Sequence, residues 1–252
     1  MQKYKVVSII PAKGNSIRIP KKNIKVIAGK PLIAWVIEAS LASKYVDRTF
    51  VSTEDDEIRK VALKYGADVV PRPKKYAVDG VEEMNSVIQH FREYCNSLIP
   101  VENWGQEPDY LVHLMATTPL VTGKHIDEAL ELIVEKQVDM LTSVNKLQFG
   151  PRLHCVKIDK NGRLERMYKY VDGWNQTNED RKEKEEVYVI NSAISIGTYL
   201  RYNHFAGLSP GTLAYIMDPE DSFDIDVPFD FDIAEMFLKR RIEKNGLSTK
   251  NR

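Results

Sequence analysis

The chain has 252 residues, 43% of them hydrophobic, which fits one large α/β domain or one domain carrying an insertion and excludes a disordered chain. Lys plus Arg and Asp plus Glu number 36 each, so net charge gives no reason to expect nucleic-acid or membrane-surface binding. Cys95 and Cys155 have neither a disulfide-framework nor a metal-ligand spacing, and no apolar stretch is long enough to cross a bilayer; a cytoplasmic protein is expected.

Val6 to Ile10 is a short apolar run closed by Pro11 and reads as a buried parallel strand. A polar loop over 12–23 follows, and Pro31 opens a helix with Leu32, Val36 and Ala39 on one face. Thr49 to Ser52 reads as a strand. Thr53 is placed to cap a helix marked by Ile58, Val61, Ala62 and Tyr65, and Gly66 ends it. Ala67 to Val70 is a strand, 82–98 a helix, Tyr110 to Met115 a strand, Ile126 to Ile133 a helix and Met140 to Val144 a strand. This alternation predicts right-handed βαβ units: a mostly parallel, Rossmann-like sheet with helices on both faces.

The rhythm changes near Asn145. His154 to Ile158, the Asn161-Gly162 turn and Leu164 to Met167 read as a hairpin. Residues 172–186 are highly charged and read as a loop, Val187 to Ile196 and Leu213 to Met217 as strands, and Phe231 to Leu238 as a final helix. The predicted organisation is a catalytic domain of residues 1–144 plus 191–252, interrupted by a small β-rich excursion at 145–190.

Two segments carry chemistry by residue type. Ala12, Lys13, Gly14, Asn15, Ser16, Arg18 and Lys22 belong to a loop with four cations in ten residues, at the carboxyl end of the first strand, where open α/β sheets bind ligands. It suits a polyphosphate, and reads equally as a solvated basic loop. It is neither a Walker loop nor the GxGxxG of a dinucleotide-dependent oxidoreductase. Near the other end, Asp224-Ile225-Asp226 puts two carboxylates on one side of an extended segment, where they can meet one hard cation such as Mg²⁺. A capping role suits Asp230 better. His113 reads as a core or rim histidine.

Ser16, Ile19-Pro20, Lys22-Asn23 and Gly29-Lys30-Pro31-Leu32 resemble the first loop of the CMP-acylneuraminate synthetases, the cytidylyltransferases that activate sialic acids. The likeness continues in Val51-Ser52-Thr53, Tyr65-Gly66-Ala67, Arg72-Pro73, Thr117-Thr118-Pro119-Leu120, Asn191-Ser192-Ala193-Ile194 and Asp224-Ile225-Asp226. The resemblance implies transfer of CMP from CTP to the anomeric hydroxyl of a 2-keto sugar acid, with release of pyrophosphate. It implies Lys22 on the triphosphate, Asn23 and Arg72 at the base, and Mg²⁺ on Asp224 and Asp226; a carboxylate such as Asp226 could also assist deprotonation. Thr117, Thr118, Arg152, Arg181 and Asn191 would hold the sugar, and the excursion would pair two subunits into a homodimer. Arg181, ten residues before Asn191, would grip the sugar carboxylate with its planar fork.

The sequence also departs from that pattern. Lys13 stands for the usual Arg, Ile17 for a Lys, Met115 for a Gln that touches the sugar, Glu83 for a small Ser, and Ser192 for a Gly. Met115 removes hydrogen-bonding capacity from the sugar pocket, and Arg18-Ile19-Pro20 favours a nonstandard nonulosonic acid; a pseudaminic- or legionaminic-type acceptor or a shorter 3-deoxy sugar acid is one alternative. A non-catalytic nucleotide-binding member of the family is the remaining alternative.

Overall fold

The computed structural model describes residues 4–77, 81–98, 107–147, 156–158, 164–166, 188–202 and 211–250. β1 (Val6–Pro11) is buried throughout except at Pro11, as its unbroken apolar run requires. The chain then passes through a 3-10 turn, Lys22–Ile24, and a two-residue ribbon, β2 (Val26–Ile27) with β3 (Lys30–Pro31), into α1 (Leu32–Leu41). Seven of the ten residues of α1 are buried, because it packs between the sheet and its neighbouring helices. β4 (Arg48–Thr53) leads to α2 (Asp56–Lys64). The cap of α2 is Asp55, not Thr53: its Oδ1 accepts from the amides of Glu57 and Ile58 at 2.8 and 2.9 Å. Thr53 is still in the strand, and its hydroxyl accepts from the Asp55 amide instead.

β5 (Asp68–Pro71), α3 (Val81–Leu98), β6 (Tyr110–Leu114), α4 (Gly123–Lys136) and β7 (Met140–Lys146) continue the alternation. β8 (Val156–Ile158) and β9 (Leu164–Arg166) pair antiparallel, and the expected Asn161-Gly162 turn lies outside the described residues. β10 (Tyr188–Thr198), β11 (Leu213–Ile216) and α5 (Pro228–Lys250) complete the described chain. The main sheet has the order β11-β7-β10-β6-β1-β4-β5. It is parallel except for β10, which runs antiparallel to both β6 and β7. β10 runs directly beside β7, with Tyr188 opposite Lys146.

Apolar clusters fill both faces. The largest packs α1, α2 and α4 against the sheet around Ile10, Ile33, Val112 and Leu130, and a second sets α3 against the opposite face through Phe50, Val87 and Phe91. A third, with Ile19, Leu32, Leu120, Ile225 and Leu238, ties the segment after β1 and the segment before α5 to one another. That third cluster brings the two chemically suggestive segments together. His113 lies on β6 fully buried, its ring 6.1 Å from that of Tyr202, and is a core residue. No helix among the described residues is long and apolar enough to cross a membrane.

Candidate active site

An open cleft lies over the carboxyl ends of β1, β5 and β6, where strand-end loops of α/β sheets converge. Pro11, Lys13, Ser16, Lys22 and Asn23 line it from the first loop, Arg72 and Tyr76 from the segment after β5, and Met84 and Val87 from α3. Met115, Ala116 and Thr117 line it from the end of β6, and Asp224 and Asp226 from the segment before α5.

Lys21 takes φ 54°, a left-handed conformation uncommon for a residue with a Cβ, and the chain reverses there. The reversal sends neighbouring lysines to different places. Lys21 pairs with Glu57 on α2 at 2.7 Å, whereas Lys22 enters the cleft. Lys22 Nζ donates to the carbonyl of Ile225 at 2.6 Å and stands 3.9 Å from Asp226 Oδ1. Buried Asn23 donates to the carbonyl of Lys13 at 2.9 Å and so holds the first loop in shape.

Ile225 is fully buried while Asp224 and Asp226 are exposed, which is the alternation an extended Asp-x-Asp segment should show. The segment is anchored at several points. The Ile225 amide donates to the carbonyl of Thr117 at 3.0 Å, and Asn145 donates to Met217 O and Ser222 Oγ at 3.0 and 2.8 Å. Asp221 pairs with Arg241 and lies 3.4 Å from His125. Asp230 Oδ2 accepts from the amides of Asp226 and Val227 at 2.8 Å, so the helix start is capped without using either cleft carboxylate.

Crowding shifts the charges here in opposite senses. Burial lowers the Lys22 ammonium, against the pull of Asp224 and Asp226, with Arg18 and Lys13 adding to the lowering. Burial raises the Asp224 carboxyl; a hydrogen bond with Thr117 opposes this and the Asp226 charge reinforces it. Asp224 meets water from the open side of the cleft and protein on the others. Arg18 pairs with Asp226 at 3.0 Å from the solvent side, with more than half of each side chain exposed.

Not every predicted site residue faces this cleft. Ala12 is buried, its amide tied to Ser52 O at 2.9 Å. Gly14 and Asn15 border an adjoining acidic recess with Glu54, Asp55, Asp56 and Glu57. The Gly14 amide already donates to Glu54 Oε1 at 2.7 Å, and a Cβ at Gly14 would meet Asp55 Oδ2 at 2.4 Å, so the glycine provides clearance against α2. Thr118 is fully buried and its hydroxyl donates back to Met115 O at 2.9 Å. Asn191 Oδ1 accepts from Ser143 Oγ and the Ala193 amide, which shapes the bulge in β10, while its Nδ2 is buried with no hydrogen-bond partner among the described residues. Ser192 takes φ 56° in that bulge, a conformation glycine adopts more easily. Arg152 and Arg181 lie outside the described residues, as does the side chain of Glu83 on α3.

Glu54 went unnoticed in the sequence. It pairs with Arg72 at 2.8 Å, with 4% of the Arg72 side chain and 10% of the Glu54 side chain exposed. The signal was available: an acid just past one strand and a base just past the next become neighbours if those strands pair parallel and end in register, as Thr53 and Pro71 do.

Over 240 residues the chain is 33% identical to the N-acylneuraminate cytidylyltransferase of Oncorhynchus mykiss, which covers 95% of this chain and 51% of that protein. Over 232 residues it is 30% identical to the N-acylneuraminate cytidylyltransferase of Streptococcus agalactiae serotype III, covering 90% and 52% respectively. The chain thus spans about half the length of these curated relatives. Over 145 residues it is 34% identical to the pseudaminic acid cytidylyltransferase of Campylobacter jejuni subsp. jejuni, covering 58% of this chain and 60% of that one. Among solved structures, a CMP:2-keto-3-deoxy-manno-octonic acid synthetase complexed with CTP shares the fold, with TM-score 0.62 at 15% identity over 94% of this chain and 99% of that chain. The cytidylyltransferase family model matches residues 7–196, three quarters of the sequence and most of the cleft, and the chain belongs to that family.

Proposed function

We propose that this chain transfers CMP from CTP to the anomeric hydroxyl of a 2-keto sugar acid of the sialic-acid type and releases pyrophosphate. The observation that carries this reading is the meeting of Lys22 with Asp224 and Asp226 in one cleft, with Lys22 Nζ 3.9 Å from Asp226 Oδ1. A cation from the first loop and two carboxylates from the far end of the chain are what an anionic triphosphate and its counter-ion need side by side.

Two carboxylates open to the cleft fit Mg²⁺, which takes oxygen ligands, usually one or two carboxylates plus substrate phosphates. Asp224 and Asp226 would hold it, and when bound it neutralises charge at the α-phosphate and on the leaving pyrophosphate. Lys22, Lys13, Ser16 and Arg18 orient the phosphates, and Asn23 and Arg72 hold the cytidine. Asp226 would take the proton of the attacking hydroxyl. Catalysis is positioning plus electrostatics. On the acceptor side, Thr117 lines the cleft, and the Nδ2 of Asn191, buried with no hydrogen-bond partner among the described residues, is a donor in want of an acceptor. Arg152 and Arg181 supply the charge for the sugar carboxylate, within a cytoplasmic homodimer built through the 145–190 excursion.

Met115 favours a second acceptor. It lines the cleft with a thioether where the resembling enzymes have glutamine, so it cannot give the sugar that amide's hydrogen bonds. A pseudaminic- or legionaminic-type acid, or a shorter 3-deoxy sugar acid, fits such a wall better. The test is pyrophosphate release from CTP and Mg²⁺ with a panel of these acids and N-acetylneuraminic acid. Release with at least one acid is expected. Thermal stabilisation by CTP with no release from any acid would instead mark a non-catalytic nucleotide binder, and no response to any nucleotide would overturn both readings.

A further inference from the structure

We infer that Glu54 is a positioning residue for nucleotide recognition: its two carboxylate oxygens fix Arg72 on one side and the Gly14 amide on the other. The inference rests on the proposed function for which nucleotide is bound, but not for the existence of the cleft.

The fold explains why these groups meet. β4 and β5 are parallel and in register to their last residues, Thr53 opposite Pro71, so Glu54 and Arg72 emerge side by side. The Arg72 amide extends the ladder by donating to Thr53 O at 2.9 Å. Glu54 Oε2 then accepts from Arg72 Nη2 at 2.8 Å and Oε1 from the Gly14 amide at 2.7 Å. One side chain thus ties together the segments after β1, β4 and β5. Glu54 does not itself line the central cleft, whereas Arg72 does. It therefore acts through Arg72 and the first loop.

Only a carboxylate can do this. Both partners present N–H donors, and an ionised carboxyl accepts with both oxygens, whereas an amide of the same shape must turn its NH₂ toward one of them. The pairing also changes what Arg72 offers. A nearly fully buried guanidinium beside a nearly fully buried carboxylate contributes little net charge, so its remaining N–H groups act as aimed donors rather than as a loose cation. Its buried Nε has no hydrogen-bond partner among the described residues. Such an arrangement discriminates ligand shape and acceptor pattern, and leaves charge matching to Lys22 and its neighbours.

The experiment uses the full chain with Glu54→Gln, Glu54→Asp, Arg72→Gln and the Glu54→Gln/Arg72→Gln double variant. Calorimetry with CTP, UTP, ATP and GTP and steady-state kinetics are read together. For Glu54→Gln, Kd and KM for CTP should rise about 10- to 100-fold, the cost of a lost charge-assisted hydrogen bond. At saturating CTP, kcat should stay within about 3-fold and KM for the sugar acid should not move, because uniform nucleotide binding is what is lost. Glu54→Asp keeps the charge and should fall between, and it gives the reading if Glu54→Gln does not fold. Added to Arg72→Gln, the Glu54→Gln change should cost less than about 3-fold, because the two residues act as one unit. If a folded Glu54→Gln variant keeps the wild-type KM for CTP, or if the two losses multiply fully, the inference is overturned. If the wild type prefers another nucleotide, the CTP assignment falls while the same comparison is made on that nucleotide. A wild type that binds none of the four overturns the inference as well.

Discussion

On one side of the cleft, Arg72 and Glu54 are paired almost out of reach of water; on the other, Arg18 and Asp226 hold each other with 63% and 59% of their side-chain surface in solvent. The first pair is fixed between strand ends and its charges cancel. The second side holds Lys22, Asp224 and Asp226 in a crowd where burial works against the charge on Lys22 and on Asp224. A buried pair locked between strand ends gives geometry that does not change when ligand arrives. Exposed or mutually strained charges can exchange partners at small cost, and a polyanion arriving with its cation needs that exchange. On the function proposed above, the two sides divide the work: β4 and β5 hold shape, and the segments 16–22 and 224–226 handle charge.

Arg72→Ala breaks this division most severely, because it leaves Glu54 buried with its main partner gone. Removing one member of a buried pair costs about 3–5 kcal/mol, and urea unfolding should show a loss of that order. Replacing both, as Arg72→Met with Glu54→Leu, should recover part of the stability, the Gly14 amide still lacking its acceptor, and none of the nucleotide binding. A single Arg72→Ala variant as stable as wild type would mean that the pair is not fixed.

On the charge side the expected loss is in turnover. Asp224→Asn or Asp226→Asn should cost at least ~2–4 kcal/mol of transition-state stabilisation, about 30- to 1000-fold in kcat. Stability should move the other way for Asp224→Asn. Burial raises the folded-state carboxyl above its ordinary value, so through the window above that value the folded chain binds more protons than the unfolded one. Stability then falls as pH rises through this window, a penalty carried by the ionised Asp224. Asp224→Asn removes it, so Tm at pH 7 should rise, with the gain fading as the pH is lowered below the ordinary carboxylate range. A lowered Tm at pH 7 would show that Asp224 is held as a satisfied charge like Glu54.

The charge side was largely legible in the sequence, and the shape side was not. Asp-x-Asp spacing on an extended segment fixes which way two carboxylates point, whatever the rest of the fold does, and Ile225 between them went to the core as the period demands. The strand and helix alternation likewise yielded the parallel sheet, because apolar runs and helical spacing are local signals. What escaped depended on partners distant in the chain. Glu54 gains its meaning only when β5 is laid beside β4 in register. Thr118 and Asn191 carry polar groups that read as ligand contacts, yet the Thr118 hydroxyl and the Asn191 oxygen are spent on a turn and a bulge. The direction of β10 was equally hidden, since a strand buried on both faces has the same pattern in either direction.

The smallest expected effect tests the loosely held side most directly. Arg18 is exposed, and an exposed ion pair is worth about 0–1 kcal/mol, so Arg18→Ala should shift Tm by less than about 3 °C in a chain of this size. Its consequence should appear in nucleotide binding instead. Freed of Arg18, Asp226 keeps Lys22 at 3.9 Å, and a triphosphate loses one cation that could have moved onto it. KM for CTP should rise, and the rise should shrink as salt is added, because contacts between exposed charges are screened over about 10 Å at 0.1 M. A salt-independent rise would mean that Arg18 acts through packing. A large loss of stability would mean that this side of the cleft is as rigid as the other, and the division between shape and charge would not hold.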